Sequence, residues 1–329
     1  MGNSFKNIFK GVVTVDENEG VYTPYRLTND QLERYKHKPR CPFSKACAGI
    51  KMEFITAQRE ISFSYLCRSV WTHFDGNVPT FDFYVNDIFY RTVEIEKDRL
   101  NERFFVKISI DGGKGENKIT IYFPHNAAVS VSDIDIGVYK CTADKERKLL
   151  VYGDSISQGL MGNTSSMSYT ENYARFFDMN ILNLSVGGDV FDEEAIDEKL
   201  NYAATDVIVA LGINDAEMIT DFELIGKSIK KYLAKIKRLY SLCNVMLITP
   251  TVQLSWREKG CEKHKILEEI RCLLRSESKK YGFLCVEGEK LLPAEKRFYI
   301  DDTHPNDLGF SQYALNLIKE QLKYKKYGE

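Results

Sequence analysis

Residues 149 to 155 read Leu149-Leu150-Val151-Tyr152-Gly153-Asp154-Ser155. An apolar run that stops at a glycine and a short polar pair describes a buried strand ending abruptly in a turn, with a hydroxyl just beyond it. The form recurs downstream. Short apolar runs fall at 181–184, 207–211, 245–249 and 283–286. Between them the apolar spacing lengthens to a helical period. Tyr169, Tyr173, Phe176 and Phe177 share one face, as do Ile225, Ile229, Leu233 and Ile236, then Ile266, Ile270 and Leu273. A last helix carries Phe310, Tyr313, Ala314, Leu317 and Ile318. Strands alternating with helices give an α/β fold, a doubly wound, flavodoxin-like parallel sheet covered on both faces.

Upstream the period is different. Ile61, Phe63 and Tyr65 alternate with serines; Phe81, Phe83 and Val85 repeat the pattern. So do Val106, Ile108 and Ile110, then Ile119, Ile121 and Phe123, then Ile134, Ile136 and Val138. Period two means one buried face per strand. Turn signals such as Asp75-Gly76-Asn77 and Asp111-Gly112-Gly113 separate the runs. Many short strands without a helical stretch predict an all-β sandwich, jelly-roll-like, ahead of the α/β part. The polar stretch 142–148 divides the two periods, so the expected domains are 1–145 and 146–329.

Four short motifs fall in the second half in a fixed order. Gly153-Asp154-Ser155 follows the first strand, Gly187-Gly188-Asp189 the second, and Gly212-Ile213-Asn214-Asp215 the third. Asp301-Asp302-Thr303-His304-Pro305-Asn306 follows the fifth. Ligands of a doubly wound sheet bind beyond the carboxyl ends of its strands. With spatial order 2-1-3-4-5, the first three strands are neighbours about 4.8 Å apart, so Ser155, Gly188 and Asn214 meet. The fifth strand is roughly 14 Å from the first, and the segment 287–300 is long enough to bring His304 back.

The residue types form a chemical set. A serine hydroxyl attacks an acyl carbon once a base takes its proton. His304 has a carboxylate, Asp301, three residues before it; one tight turn lets Asp301 accept from Nδ1 and leaves Nε2 for Ser155. The backbone N–H groups of Ser155 and Gly188 and the side-chain amide of Asn214 are candidate donors to an oxyanion. Singly, each motif has a plainer reading. A Gly-Asp-Ser turn is usually just a turn, and a Gly-x-Asn-Asp is often a helix cap. Asp154 and Asp215 read as loop-holding carboxylates, Asn306 as the cap of the last helix, and Asp302 as an alternative to Asp301.

Taken together, the four blocks resemble those of the SGNH hydrolases, the GDSL esterase/lipase superfamily, over residues 148–325. Ser155 matches the nucleophile, Gly188 and Asn214 the oxyanion residues, and Asp301 with His304 the last block; Ile156 replaces the leucine of the eponymous motif. A β-sandwich before such a domain is similar to the arrangement in carbohydrate esterase family two, which removes acetyl groups from sugars. The resemblance implies a serine esterase with a complete Ser-His-Asp triad, acting on small acyl esters, O-acetyl groups on a carbohydrate first among them. The chemistry needs no metal or cofactor. The alternatives are a sugar-binding protein on an inactive hydrolase fold, and an esterase, thioesterase or lipase for non-carbohydrate esters.

The rest of the chain narrows the field. Among 329 residues, 43% are hydrophobic and 28% charged, with a net charge of −2. There is no clustered basic excess for nucleic acid and no apolar run near the roughly 20 residues of a membrane span. The N-terminus lacks an apolar leader, which points to the cytoplasm. The eight cysteines contain no CxxC pair and read as free thiols. Trp256, in the loop after the fourth strand, is a candidate for stacking on a sugar ring. Trp71 and His73 sit in an aromatic turn of the sandwich half, while His37, His125 and His264 read as surface or loop residues.

Overall fold

The structure, a computed structural model, describes residues 4–72, 77–111, 115–258 and 260–327. The turns around Asp75-Gly76 and Gly112-Gly113, and His73, lie outside the described residues. Two compact units emerge: Met1–Lys145 with Asn163–Ser166, and Glu146–Gly162 with Met167–Glu329.

The first unit holds strands β1 (Phe9–Lys10), β2 (Thr14–Asn18), β3 (Val21–Tyr25), β4 (Lys51–Thr56), β5 (Glu60–Val70) and β6 (Thr80–Val85). It continues with β7 (Ile88–Glu94), β8 (Arg103–Ser109), β9 (Asn117–Tyr122), β10 (Ala127–Asp135) and β11 (Tyr139–Cys141). Two short helices, α1 (Asn29–Tyr35) and α2 (Cys41–Lys45), precede β4. One antiparallel sheet runs β1-β4-β9-β6-β7, with β11 also paired to β4, and the other runs β2-β3-β10-β5-β8. The alternating residues face each other between the sheets. Phe63 of β5 meets Phe81 of β6 edge-on at 5.3 Å, and both lie in one buried cluster with Val106, Ile108, Ile119 and Ile121.

One expectation in this half fails locally, and another holds only in part. Ile134 is the last alternating residue in β10. The strand ends at Asp135 after a register shift, Gly137 turns the chain at φ +61°, and Val138 is exposed. His125 lies in the loop between β9 and β10, as one of its two readings had it, but is buried there, because residues 163–166 pack over that region. The His125 N–H donates to Ser165 Oγ at 3.2 Å. The Ser166 N–H donates to the buried Asp82 carboxylate at 2.8 Å, and Tyr84 OH and Ser166 Oγ lie 3.1 Å apart.

The second unit is built on β12 (Arg147–Gly153), β13 (Met179–Asn183), β14 (Asp206–Ala210), β15 (Asn244–Ile248) and β16 (Leu284–Val286), in spatial order β13-β12-β14-β15-β16. Every pairing is parallel. This is the 2-1-3-4-5 order expected of the doubly wound sheet. Its helices are α3 (Ser155–Gln158), α4 (Tyr169–Phe176), α5 (Ile213–Met218), α6 (Phe222–Leu239), α7 (Glu262–Tyr281) and α8 (Asp307–Tyr327). On one face, Leu149, Val151, Ile208 and Met246 pack with Tyr169, Tyr173, Phe310 and Leu317 of α4 and α8. On the other, Tyr152 meets Tyr232 of α6, whose Ile225, Ile229, Leu233 and Ile236 are buried. Phe176, placed by its spacing on the buried face of α4, is instead exposed, since the helix ends there and the chain turns away.

Candidate active site

Each piece of the site stands where a strand of the parallel sheet ends. Ser155 is the first residue of α3, directly after β12, and Asp154 caps that helix by accepting the Ile156 N–H at 3.0 Å. Gly153 is required by contact: a Cβ there would lie 2.4 Å from Ser157 Oγ. The turn therefore brings Ser155 hard against the sheet edge, at 7% exposure.

After β13 the chain turns at Gly188, which has φ +80°, a conformation that favours glycine. After β14, Asn214 sits in the first turn of α5, and its Nδ2 donates to the Asp189 carbonyl at 2.9 Å. The N–H groups of Ser155 and Gly188 have no acceptor among the described residues.

The fourth motif reaches the first through a tethered loop. Asp301 Oδ1 accepts the N–H groups of Thr303 and His304, both at 2.7 Å. Asp301 Oδ2 lies 2.8 Å from His304 Nδ1, and His304 Nε2 lies 2.9 Å from Ser155 Oγ. The loop after β15 holds this turn from the side. Gln253 Nε2 donates to Thr303 Oγ1 at 3.0 Å, and the Leu254 N–H donates to the Asp302 carbonyl at 2.8 Å. Asp302 is exposed. Asn306 Oδ1 accepts the Gly309 N–H at 2.9 Å, capping α8.

Electrostatics separates the carboxylates. Burial alone would raise the pKa of Asp301, but the bond to His304, its charge and the two backbone N–H groups outweigh that, holding the carboxyl well below its usual range. Asp154 and Asp215 go the other way. Burial pushes Asp154 up to about 6, against the Ile156 N–H and the nearby His304. It pushes Asp215 up to about 7, against the Phe191 N–H, with Asp154 and Asp189 adding to the rise.

The geometry also involves residues that the sequence reading passed over. Gln158, at the end of α3, accepts the Gly187 N–H on its Oε1 at 2.8 Å. Asn183, at the end of β13, donates to the Ser157 carbonyl at 2.8 Å and accepts the Ser185 N–H at 3.0 Å. Both tie the Ser155 turn to the Gly188 loop. The available signal was a polar residue inside or beside an apolar run, as in Ile181-Leu182-Asn183-Leu184. Trp256 lies in a single 3₁₀ turn after β15, at 7% exposure, with the Lys263 ammonium 5.5 Å from its ring centre.

A hydroxyl bonded to an imidazole, itself bonded to a carboxylate, is an arrangement suited to acyl transfer. The family description that matches this chain is the GDSL-like lipase/acylhydrolase family, over residues 146–322. The chain belongs to this family. As a GDSL-type protein it is a carboxylic ester hydrolase by class. Three solved structures share the fold at low identity. A salicylyl-acyltransferase, SsfX3, from a tetracycline biosynthetic pathway superposes with a TM-score of 0.77 at 16% identity, covering 96% of this chain and 94% of that one. A protein described as a GDSL-like lipase from Bacteroides ovatus gives 0.74 at 16%, covering 97% and 94%. A family two carbohydrate esterase from Clostridium thermocellum, in complex with cellohexaose, gives 0.65 at 17%, covering 86% and 94%. Comparison with curated protein sequences found no significant match. No helix among the described residues is long and apolar enough to cross a membrane, and none of their His, Cys, Asp and Glu side chains cluster to hold a metal ion.

Proposed function

We propose that this GDSL-type protein is a serine esterase that removes small acyl groups, O-acetyl above all, from a carbohydrate. The observation that carries the reading is the unbroken hydrogen-bonded chain from Asp301 through His304 to Ser155, at 2.8 and 2.9 Å. In the proposed reaction, Ser155 Oγ attacks the ester carbon while His304 Nε2 takes its proton. Asp301 holds the ring by Nδ1 and offsets the charge it gains. The oxygen that becomes negative is met by the N–H groups of Ser155 and Gly188 and the amide of Asn214. The C–O bond to the sugar then breaks, and His304 gives its proton to the departing alkoxide. Water, deprotonated by His304, attacks the acyl-enzyme; the ester bond to Ser155 breaks, Ser155 recovers its proton, and the acid is released.

The carbohydrate assignment is supported by the sandwich before the catalytic unit, as in the family two esterase that carries cellohexaose. Trp256 is the ring to test for sugar stacking. A second reading follows from the likeness to a salicylyl-acyltransferase: the acyl-enzyme gives its acyl group to an alcohol in place of water.

A fluorophosphonate probe tests the nucleophile. It should label the wild type and leave Ser155→Ala unlabelled; equal labelling of both would defeat the reading. Acetate release from acetylated xylan, mannan, pectin, sialic acid and monosaccharide acetates, with p-nitrophenyl acetate as control, tests the substrate class. Release from the aryl ester alone would remove the carbohydrate assignment. Added alcohols that divert the acyl group into new esters would favour the second reading.

A further inference from the structure

The loop that carries Gly188 is held on its downstream side by one turn of one helix. Asn214 and Asp215 are consecutive residues in the first turn of α5. Asn214 Nδ2 binds the Asp189 carbonyl at 2.9 Å. Asp215 takes the Phe191 N–H on both carboxylate oxygens, at 3.1 and 3.4 Å. The Phe191 ring is buried beneath, edge-on to Tyr232 of α6 at 5.3 Å, so its backbone has little room to move. Upstream, the Gly187 N–H is fixed by Gln158 and the Asp189 N–H by the Val186 carbonyl at 3.0 Å. Gly188 thus lies between two anchored stretches, and the downstream anchor is Asp215.

We propose that Asp215 is a positioning residue for the oxyanion site: by holding the Phe191 N–H, it keeps the Gly188 N–H and the Asn214 amide aimed at one point. This rests on the acyl-transfer reading above. The side chain is fully buried, so its role runs through the loop. What the role requires is an acceptor oxygen at the Phe191 N–H, not a negative charge. The neighbouring carboxylates make that distinction useful, since Asp154 and Asp189 both disfavour a charge on Asp215. Losing one preorganised oxyanion donor costs about a hundredfold or more in turnover. Letting the donors drift should cost part of that.

The test uses p-nitrophenyl acetate and an arylboronic acid as a tetrahedral mimic. Asp215→Ala should lower kcat about tenfold or more, change KM by less than about twofold, and weaken boronate binding by the same factor as kcat. Asp215→Asn keeps an acceptor oxygen and should hold kcat within about threefold of the wild type. In a double-mutant cycle, Asp215→Ala should cost less in the Asn214→Ala background than in the wild type, because one of the two donors it positions is already gone. A role confined to stability would leave boronate binding intact in the folded variant, and independent effects would multiply in the cycle; either result overturns the proposal. If Asp215→Ala does not fold, Asp215→Asn decides: a loss as large as that of Asn214→Ala overturns it. Ser155→Ala, run in parallel, separates the two failures. An active Ser155→Ala would sink the acyl-transfer reading, whereas an inactive one beside an unaffected Asp215→Ala sinks the positioning role alone.

Discussion

The proposed site has a base side and an oxyanion side, and each relies on an aspartate in an opposite way. On the base side, Asp301 is partly open to solvent, 29% exposed, and surrounded by donors: the His304 ring and two backbone N–H groups. On the oxyanion side, Asp215 is wholly buried, with one backbone N–H from the facing loop and two aspartates nearby. One aspartate is held charged, the other is pressed toward its neutral form. The difference shows that the number of donors and the depth of burial, not the residue name, set what a carboxyl group does.

The largest effect should fall on the base side. His304→Ala should lose at least about a thousandfold in kcat, as expected when a general base is removed from such a set. Near-normal turnover on p-nitrophenyl acetate would show that another group takes the proton. Next comes the oxyanion side. Asn214→Ala should cost about 3 kcal/mol of transition-state stabilisation, seen in kcat with KM little changed. Equal losses from both variants would blur the contrast; a tenfold gap or more would sharpen it.

A subtler test reads the two aspartates through stability. The folded pKa of Asp215 is raised from 3.8 to about 7, so folding takes up a proton in that interval. Its contribution is full below pH 3.8 and is lost as pH rises through about 7. Asp154, raised to about 6, slopes the same way. Asp301 has a depressed folded pKa, so its contribution is present above 3.8 and is lost as pH falls below it. Thermal denaturation from pH 3 to 9 should therefore show Asp215→Asn flattening the limb between 4 and 7 and Asp301→Asn flattening only the acid limb. The reverse pattern would mean that the charges are misassigned.

The smallest expected effect concerns Trp256. Trp256→Ala should raise KM severalfold for an acetylated oligosaccharide and leave p-nitrophenyl acetate unchanged. Equal changes on both substrates would mark the indole as a packing residue only, in keeping with its 7% exposure.

Much of this arrangement was legible from the chain. The alternation at Phe63 and Phe81 announced two packed sheets, and the run from Leu149 to Tyr152 announced a strand of a parallel one. The same logic failed at Val138 and Phe176, where an element ends before its period does. His125 is a loop residue, but its burial was not legible, because a polar residue in a loop carries no mark of the distant segment that covers it.

The order of chemical groups along the chain, and the change from period two to helical spacing, are properties of the amino-acid sequence, since both depend only on near neighbours. The path that carries His304 to Ser155, the clamp of Asn214 and Asp215 on the Gly188 loop, and the opposite pull on Asp215 and Asp301 were decided by the tertiary structure. Hydrogen bonding and desolvation depend on which atoms surround a group, and here those atoms come from strands and loops far apart in the chain.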